Sequence, residues 1–147
     1  MKISTKGRYA TRAMLDLALH AGKTPVMLKD ISARQDISLR YLEQIVTPMV
    51  AARLITSVRG PHGGIRLARE PKDIRLLDII EVLEGPVAPV ECVENPCSCT
   101  RAPSCVTRDV WNELARAMLG VLESTTLQDL VDRQNKKGPA EKLFYDI

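Results

Sequence analysis

The residues Ile55 to Leu67 read ITSVRGPHGGIRL. Two short runs, Ile55–Val58 and Ile65–Leu67, have strand character, and Gly60-Pro61-His62-Gly63-Gly64 between them supplies the turn chemistry of a hairpin. Three helical patterns precede it. The first is capped by Ser4 or Thr5 and runs to about Ala21, because Ala10, Ala13, Met14, Leu17 and Ala21 recur at helical spacing and Gly22 follows. The second spans about Leu28 to Arg34, with Asp30 favouring the dipole of its first turn. After a turn at Asp36-Ile37, Ser38 is placed to cap a third helix. Its buried stripe is read as Leu39, Leu42, Ile45, Val46 and Met49. That leaves Arg40, Tyr41, Glu43, Gln44 and Thr47 nearer the outside. Pro48 lacks an N–H, which predicts a kink or a restart there. Three helices followed by a glycine-turned hairpin is the order of a winged helix-turn-helix.

Beyond the hairpin, Leu76 to Leu83 reads as a fourth helix, and Thr107 to about Ser124 as a long one. Val110, Leu114, Ala117, Met118 and Val121 share a face of the long helix, and Trp111, Leu119 and Leu122 widen it. So wide an apolar arc needs partners on two sides, one of which can be a second subunit. From about Asn135 the sequence is polar and is expected to fray. The expected fold is mainly α: a winged helix-turn-helix with a small β-hairpin wing and a long C-terminal dimerisation helix.

Charge divides the chain. Residues 1–75 hold 14 of the 21 Lys and Arg but only 6 of the 18 Asp and Glu, a balance of +8, whereas residues 76–147 stand at −5. A basic half suits a polyanion such as DNA, and an acidic half suits solvent or a protein partner. Aromatic residues make up only 3% of the chain, few for a binder of single strands built on stacking platforms. No apolar run approaches a membrane span, and no apolar segment follows the basic start, so a cytoplasmic protein is expected. No P-loop, nucleophile elbow, H-E-x-x-H or G-x-G-x-x-G is present, so the chain does not read as an enzyme. In a helix-turn-helix the second helix enters the major groove with its N-terminal residues nearest the bases. Arg40 and Gln44 have donors for base edges, and Glu43 can accept from cytosine N4. Arg59, at the base of the wing, can enter a minor groove. His62 is read as a wing-turn residue.

All four cysteines lie between Cys92 and Cys105, at spacing C-x4-C-x1-C-x5-C, in a segment broken by Pro86, Pro89, Pro96 and Pro103. In a reducing compartment, clustered cysteines are metal ligands or redox thiols more often than disulfides. The paired C-x2-C knuckles of a zinc ribbon and the ferredoxin run are both absent. The spacing alone leaves an iron–sulfur cluster, zinc and a thiol switch open.

Several segments together resemble the Rrf2 family of bacterial transcription regulators, and within it the iron–sulfur cluster regulators of the IscR type. They are ISTKGRYATRAMLDLALHAG at the start, DISARQDISLRYLEQI, LITSVRGPHGGIRLAR, the cysteine loop, the W-x-x-L of the long helix, and TTLQDLV. The resemblance covers roughly residues 2–131. It implies a winged-helix homodimer on a palindromic double-stranded operator, with the long helix as dimer element and a 2Fe–2S cluster in the loop. The family's major-groove positions fall on Arg40, Glu43 and Gln44, with Tyr41 among them, and its wing contact falls on Arg59. Its cluster cysteines map onto Cys92, Cys99 and Cys105. The histidine ligand three residues after the last cysteine is Arg108 here, and an arginine has no lone pair to offer a metal. The acidic residue that some nitric-oxide-sensing relatives use as a ligand corresponds to Arg8. Cys97 is additional. The fourth ligand is left among Cys97, the carboxylates of Glu91, Glu94 or Asp109, and an incoming small thiol. The implied division is 1–83 for DNA binding, 84–106 for the cluster loop, 107–134 for the dimer and C-terminal helices, and 135–147 as a tail. Two rival readings remain: the same fold controlled by zinc, thiol oxidation or a protein partner, and a small cysteine-based redox protein.

Overall fold

The computed structural model describes residues 2–138. Helix α1 (Thr5–Leu19) opens on Ser4, whose side chain accepts the Gly7 N–H, and buries Ala10, Ala13, Met14 and Leu17. It ends two residues before the expected Ala21, which is exposed and so gains too little burial to repay the ordering of further residues. Helix α2 (Leu28–Gln35) stops at Asp36, which adopts a left-handed conformation with φ 53°. Asp tolerates that region better than most residues. Ile37 then plugs the turn at 2% exposure.

Helix α3 (Leu39–Ala51) starts as the sequence predicts: the Ser38 hydroxyl accepts the Tyr41 N–H at 3.2 Å. Leu42, Ile45, Val46 and Met49 form the buried stripe. Leu39 is not part of it; at 42% exposure it sits in the first turn, ahead of the point where the helix meets the core. Nor does the helix restart at Pro48. One lost hydrogen bond near the last turn is outweighed by Met49, which is fully buried.

Strands β1 (Ile55–Val58) and β2 (Gly64–Leu67) pair antiparallel, Ile55 opposite Leu67 and Val58 opposite Gly64. A third extended piece steadies them. Val26 and Ile65 exchange backbone hydrogen bonds of 2.9 and 2.8 Å, tying the wing to the α1–α2 connection. The approach requires glycine at position 64, since a Cβ there would lie 2.3 Å from the Val26 carbonyl oxygen.

Helix α4 (Leu76–Glu84) packs against α1, and its Glu84 carboxylate accepts the Ser4 N–H at 3.0 Å. The cysteine segment follows as three single turns rather than a continuous loop. These are α5 (Glu91–Glu94) and two 3-10 turns, Pro96–Ser98 and Ala102–Ser104. Helix α6 (Val106–Ser124) is followed by α7 (Leu127–Lys137). Residues 135–137, expected to fray, complete α7, and Gly138 follows as its C-cap; residues 139–147 of that tail lie outside the described residues. Helix α7 returns to the core that α1 begins. Leu127 is fully buried in the same core as Ile74 and the α1 stripe, and its N–H donates to the Ile74 carbonyl at 2.8 Å. A smaller core joins α4 to α6 through Leu77, Ile80, Val87 and Leu122. Among the described residues, no helix is long and apolar enough to cross a membrane.

One charged group is built into the main core. Asp16 lies on the buried side of α1 at 2% exposure. Arg34 grips it from α2 with Nη2 at 2.7 Å and Nε at 3.0 Å, and the Gln35 amide adds a third donor at 2.9 Å. The carboxylate is thus dehydrated but satisfied, while the guanidinium still reaches water. Removing either partner should therefore have unequal effects. Arg34→Ala strands a buried carboxylate and should destabilise by about 3 kcal/mol, whereas Asp16→Ala frees a guanidinium to hydrate and should cost about 1–2 kcal/mol. Urea unfolding of both variants measures the difference, and equal losses would contradict this account.

Candidate nucleic-acid interface and cysteine loop

Because the buried stripe of α3 fixes its rotation, the opposite face is set as well. Arg40, Glu43 and Gln44 all stand exposed on the first two turns, and none makes a side-chain hydrogen bond or ion pair among the described residues. They are free to meet a ligand edge-on. Tyr41 differs. It is half-buried against the core, and its ring meets that of Tyr9 edge-on at 5.8 Å. Tyr9 in turn lies under the Arg12 guanidinium at 5.3 Å, and Arg12 reaches the Gln35 side chain at 3.2 Å. Tyr41 therefore joins α3 to α1 and, through Arg12, to α2. Tyr9 and Arg12 stand three residues apart on α1, but no pattern in the sequence marks the Tyr41–Tyr9 and Arg12–Gln35 links, because each joins residues on different helices.

The wing supplies the second positive surface. Arg59 follows β1 and is exposed. It shares a concavity of about 720 Å3 with Arg53 and Arg69, and no carboxylate lines that wall. Sequence reading singled out only Arg59. The signal for the other two was the basic balance of residues 1–75, which gives the sign of the surface but not its location. Arg53 is turned toward the concavity by a left-handed backbone, φ 59°, at the α3–β1 corner. His62 lies at the exposed wing tip, consistent with a turn residue.

In the cysteine segment Cys92 and Cys105 are half-buried and Cys97 and Cys99 exposed; all four are free thiols. Cys105 occupies the N-cap of α6. Its sulfur lies 3.1 Å from the Thr107 hydroxyl. That hydrogen bond, and next the Arg108 backbone N–H, hold the Cys105 thiol below the usual thiol range. Arg108 ties the segment to α6 by donating from Nε to the Cys92 carbonyl at 3.0 Å. Among the described residues no three Cys, His, Asp or Glu side chains converge as metal ligands. The donor types suit a soft iron centre, and Cys105 is biased toward the thiolate form a metal needs. The sulfurs of Cys92, Cys99 and Cys105 are not gathered on one point.

The sequence model for the Rrf2 family, described as an iron-dependent transcriptional regulator, matches residues 3–133. The chain belongs to the Rrf2 family. Protein rrf2 of Nitratidesulfovibrio vulgaris is 47% identical over 132 residues, 89% of this chain and 87% of its own. Among solved structures, CymR, the global cysteine regulator of B. subtilis, superposes with a TM-score of 0.78 at 43% identity. The match covers 91% of this chain and 98% of that one. T. potens IscR gives 0.76 at 40% identity, covering 99% and 97%. This Rrf2 protein is thus a winged-helix, DNA-binding transcription regulator and not an enzyme, which removes the small redox protein as a rival. Relatives on both sides, a cysteine regulator and an IscR, share its fold, so the fold alone does not choose the signal.

If Tyr41 acts by packing, its ring matters and its hydroxyl does not. Tyr41→Phe should leave both melting temperature and DNA affinity near wild type, whereas Tyr41→Ala should lose about 2 kcal/mol of stability. Thermal melts beside anisotropy titrations distinguish this from a base contact, for which Tyr41→Phe would weaken binding at full stability.

Proposed function

We propose that this Rrf2 regulator binds a palindromic operator as a homodimer, with Arg40, Glu43 and Gln44 reading the major groove and Arg59 the minor groove. The observation that carries the reading is the unpartnered trio on the open face of α3, together with a separate wall of three arginines free of acid. Arg and Gln donate to purine edges, while Glu43 repels phosphate and so has a use only in selecting bases. DNA affinity should fall roughly 10³–10⁵-fold between about 50 and 200 mM salt if a dimer meets about 6–10 phosphates. Glu43→Ala should relax preference in a randomised-site selection while leaving or raising non-specific affinity. An unchanged preference would remove Glu43 from the reading set.

The dimer reading rests on α6. Val106, Val110, Trp111, Leu114 and Val121 are exposed in the single chain, Val121 at 63%. Beside them Ala117, Met118 and Leu122 line an apolar concavity of about 430 Å3 with Ile3 and Val87. Such a contiguous patch is a mark of association. Met118 already packs on the chain's own small core. Val121 does not, so Val121→Glu spares the fold and tests the interface. It should shift sedimentation from dimer to monomer at micromolar protein, and a wild-type monomer would overturn the reading.

Control by an iron–sulfur cluster is the reading we favour for the loop, with Cys92, Cys99 and Cys105 as the residues that would hold it. Four soft thiols within one segment, one of them biased toward thiolate, support it. Such a cluster supplies a one-electron centre that is gained, lost or oxidised. The chain's own contribution would be linkage: Arg108 and Cys105 join the segment to α6, and α6 packs on α4, so ordering the segment would bias the helix that braces α1. In this reading residues 1–83 bind DNA, 84–106 sense and 107–134 assemble. Protein purified without oxygen should be brown and contain iron and sulfide, and Ser in place of Cys92, Cys99 or Cys105 should abolish the visible absorption. Colourless or zinc-loaded protein overturns the cluster.

A further inference from the structure

The cysteine segment and the start of α6 enclose a second feature, a concavity of about 470 Å3. That is the size of a small-molecule site. Its chemistry comes from Cys97, Cys99, Thr100 and Arg108, between Pro96 and Pro103. Cys92 and Cys105 do not line it, so it is not the space between the three sulfurs assigned to iron.

Arg108 is one of the few groups in the segment with both a fixed position and unused bonding capacity. Its Nε is held by the Cys92 carbonyl, which orients the guanidinium plane. Among the described residues its terminal nitrogens make no hydrogen bond and it forms no ion pair. No carboxylate lines the cavity, so the one formal charge on the wall is positive. A planar guanidinium with free terminal donors suits a carboxylate. The thiols beside it are soft nucleophiles. Cys97 is exposed, its backbone N–H donates to Asn95 Oδ1 at 3.2 Å, and Pro96 before it restricts the turn that presents it.

We propose that this concavity takes small carboxylate-bearing disulfides, with Arg108 seating the carboxylate and Cys97 supplying the attacking sulfur. The site goes beyond the cluster reading and belongs to the chain when it carries no cluster. The step balances without another reagent. Cys97 gives its proton to water, its thiolate attacks one sulfur of the small disulfide, and the ligand's S–S bond breaks as the protein–ligand S–S bond forms. The departing thiolate takes up a proton and leaves as a thiol. Cys97 is oxidised and one ligand sulfur is reduced.

The test uses the full chain, stripped of metal, reduced, and desalted under nitrogen. Dithiodipropionate, which carries carboxylates, is compared with the neutral hydroxyethyl disulfide. Rates are read by intact mass and the modified residue by peptide mapping. Each rate is normalised to the same reagent's rate with a neutral free thiol. We expect the carboxylated reagent to be preferred about tenfold at Cys97. Arg108→Gln should bring the ratio to about one, and Arg108→Lys should retain part of it. Because Arg108→Gln also releases the Cys92 carbonyl, wild-type protein is tested with propionate, which has the carboxylate and no sulfur. It should slow Cys97 modification by both reagents. A wild-type ratio near one, no protection by propionate, or first modification at another cysteine would overturn the site. None of these outcomes bears on the iron and sulfide content of separately purified protein, so the two readings fail independently.

Discussion

The inner face of α3 is the constraint on which the winged-helix part depends. Leu42, Ile45 and Met49 are each exposed by 1% or less. Fully burying such side chains contributes about 1.5–3 kcal/mol apiece, and a helix rotated by one residue would forfeit most of it. The rotation of α3 is therefore fixed by apolar contacts on one side, and the opposite side is presented without any contact of its own. The Asp16–Arg34 pair does comparable work for α2. It sets that helix against α1 with bonds that have direction, where apolar packing alone tolerates sliding.

Much of this was legible in the residues, for reasons that differ by element. The Ser38 cap and the stripe of α3 are local patterns, and the structure follows them. Leu39 was misread because periodicity reports which side of a helix is apolar, but not where along its length the core begins. Pro48 was overweighted because a lost hydrogen bond is visible in sequence while the burial of Met49 is not. The grip on Asp16 and the Tyr41–Tyr9 contact were barely legible: they join residues of separate helices, and only the fold makes them neighbours. An acidic residue between Ala13 and Leu17 on an otherwise apolar face was the one hint, since a charge there is kept only if something meets it.

The cysteine segment shows the same limit in another form. Spacing identified it as the chemical part of the chain, but its conformation is three separate turns, each started by local geometry. Asn95 caps one, proline opens two, and Cys105 itself begins α6. The segment is consequently anchored at its two ends, at Gly85 after α4 and at Cys105, with Arg108 as the cross-tie between. Such a segment is tied to two helices together. Those helices share the small core of Leu77, Ile80, Val87 and Leu122, which packs against the larger one through Leu76.

The return of α7 has a consequence for how the chain is made. Leu127 fills the core that α1 begins, so α1 and α7 complete one another across more than a hundred residues of sequence. A chain emerging from the ribosome has its recognition helix long before it has the residue that closes the space beside Ile74. Contacts at that separation form late, after a large loop-closure cost has been met. Helix α3 and the helices that follow the cysteine segment thus mature at the same moment. A fragment ending at Glu84 would not be a smaller regulator but an unfinished core.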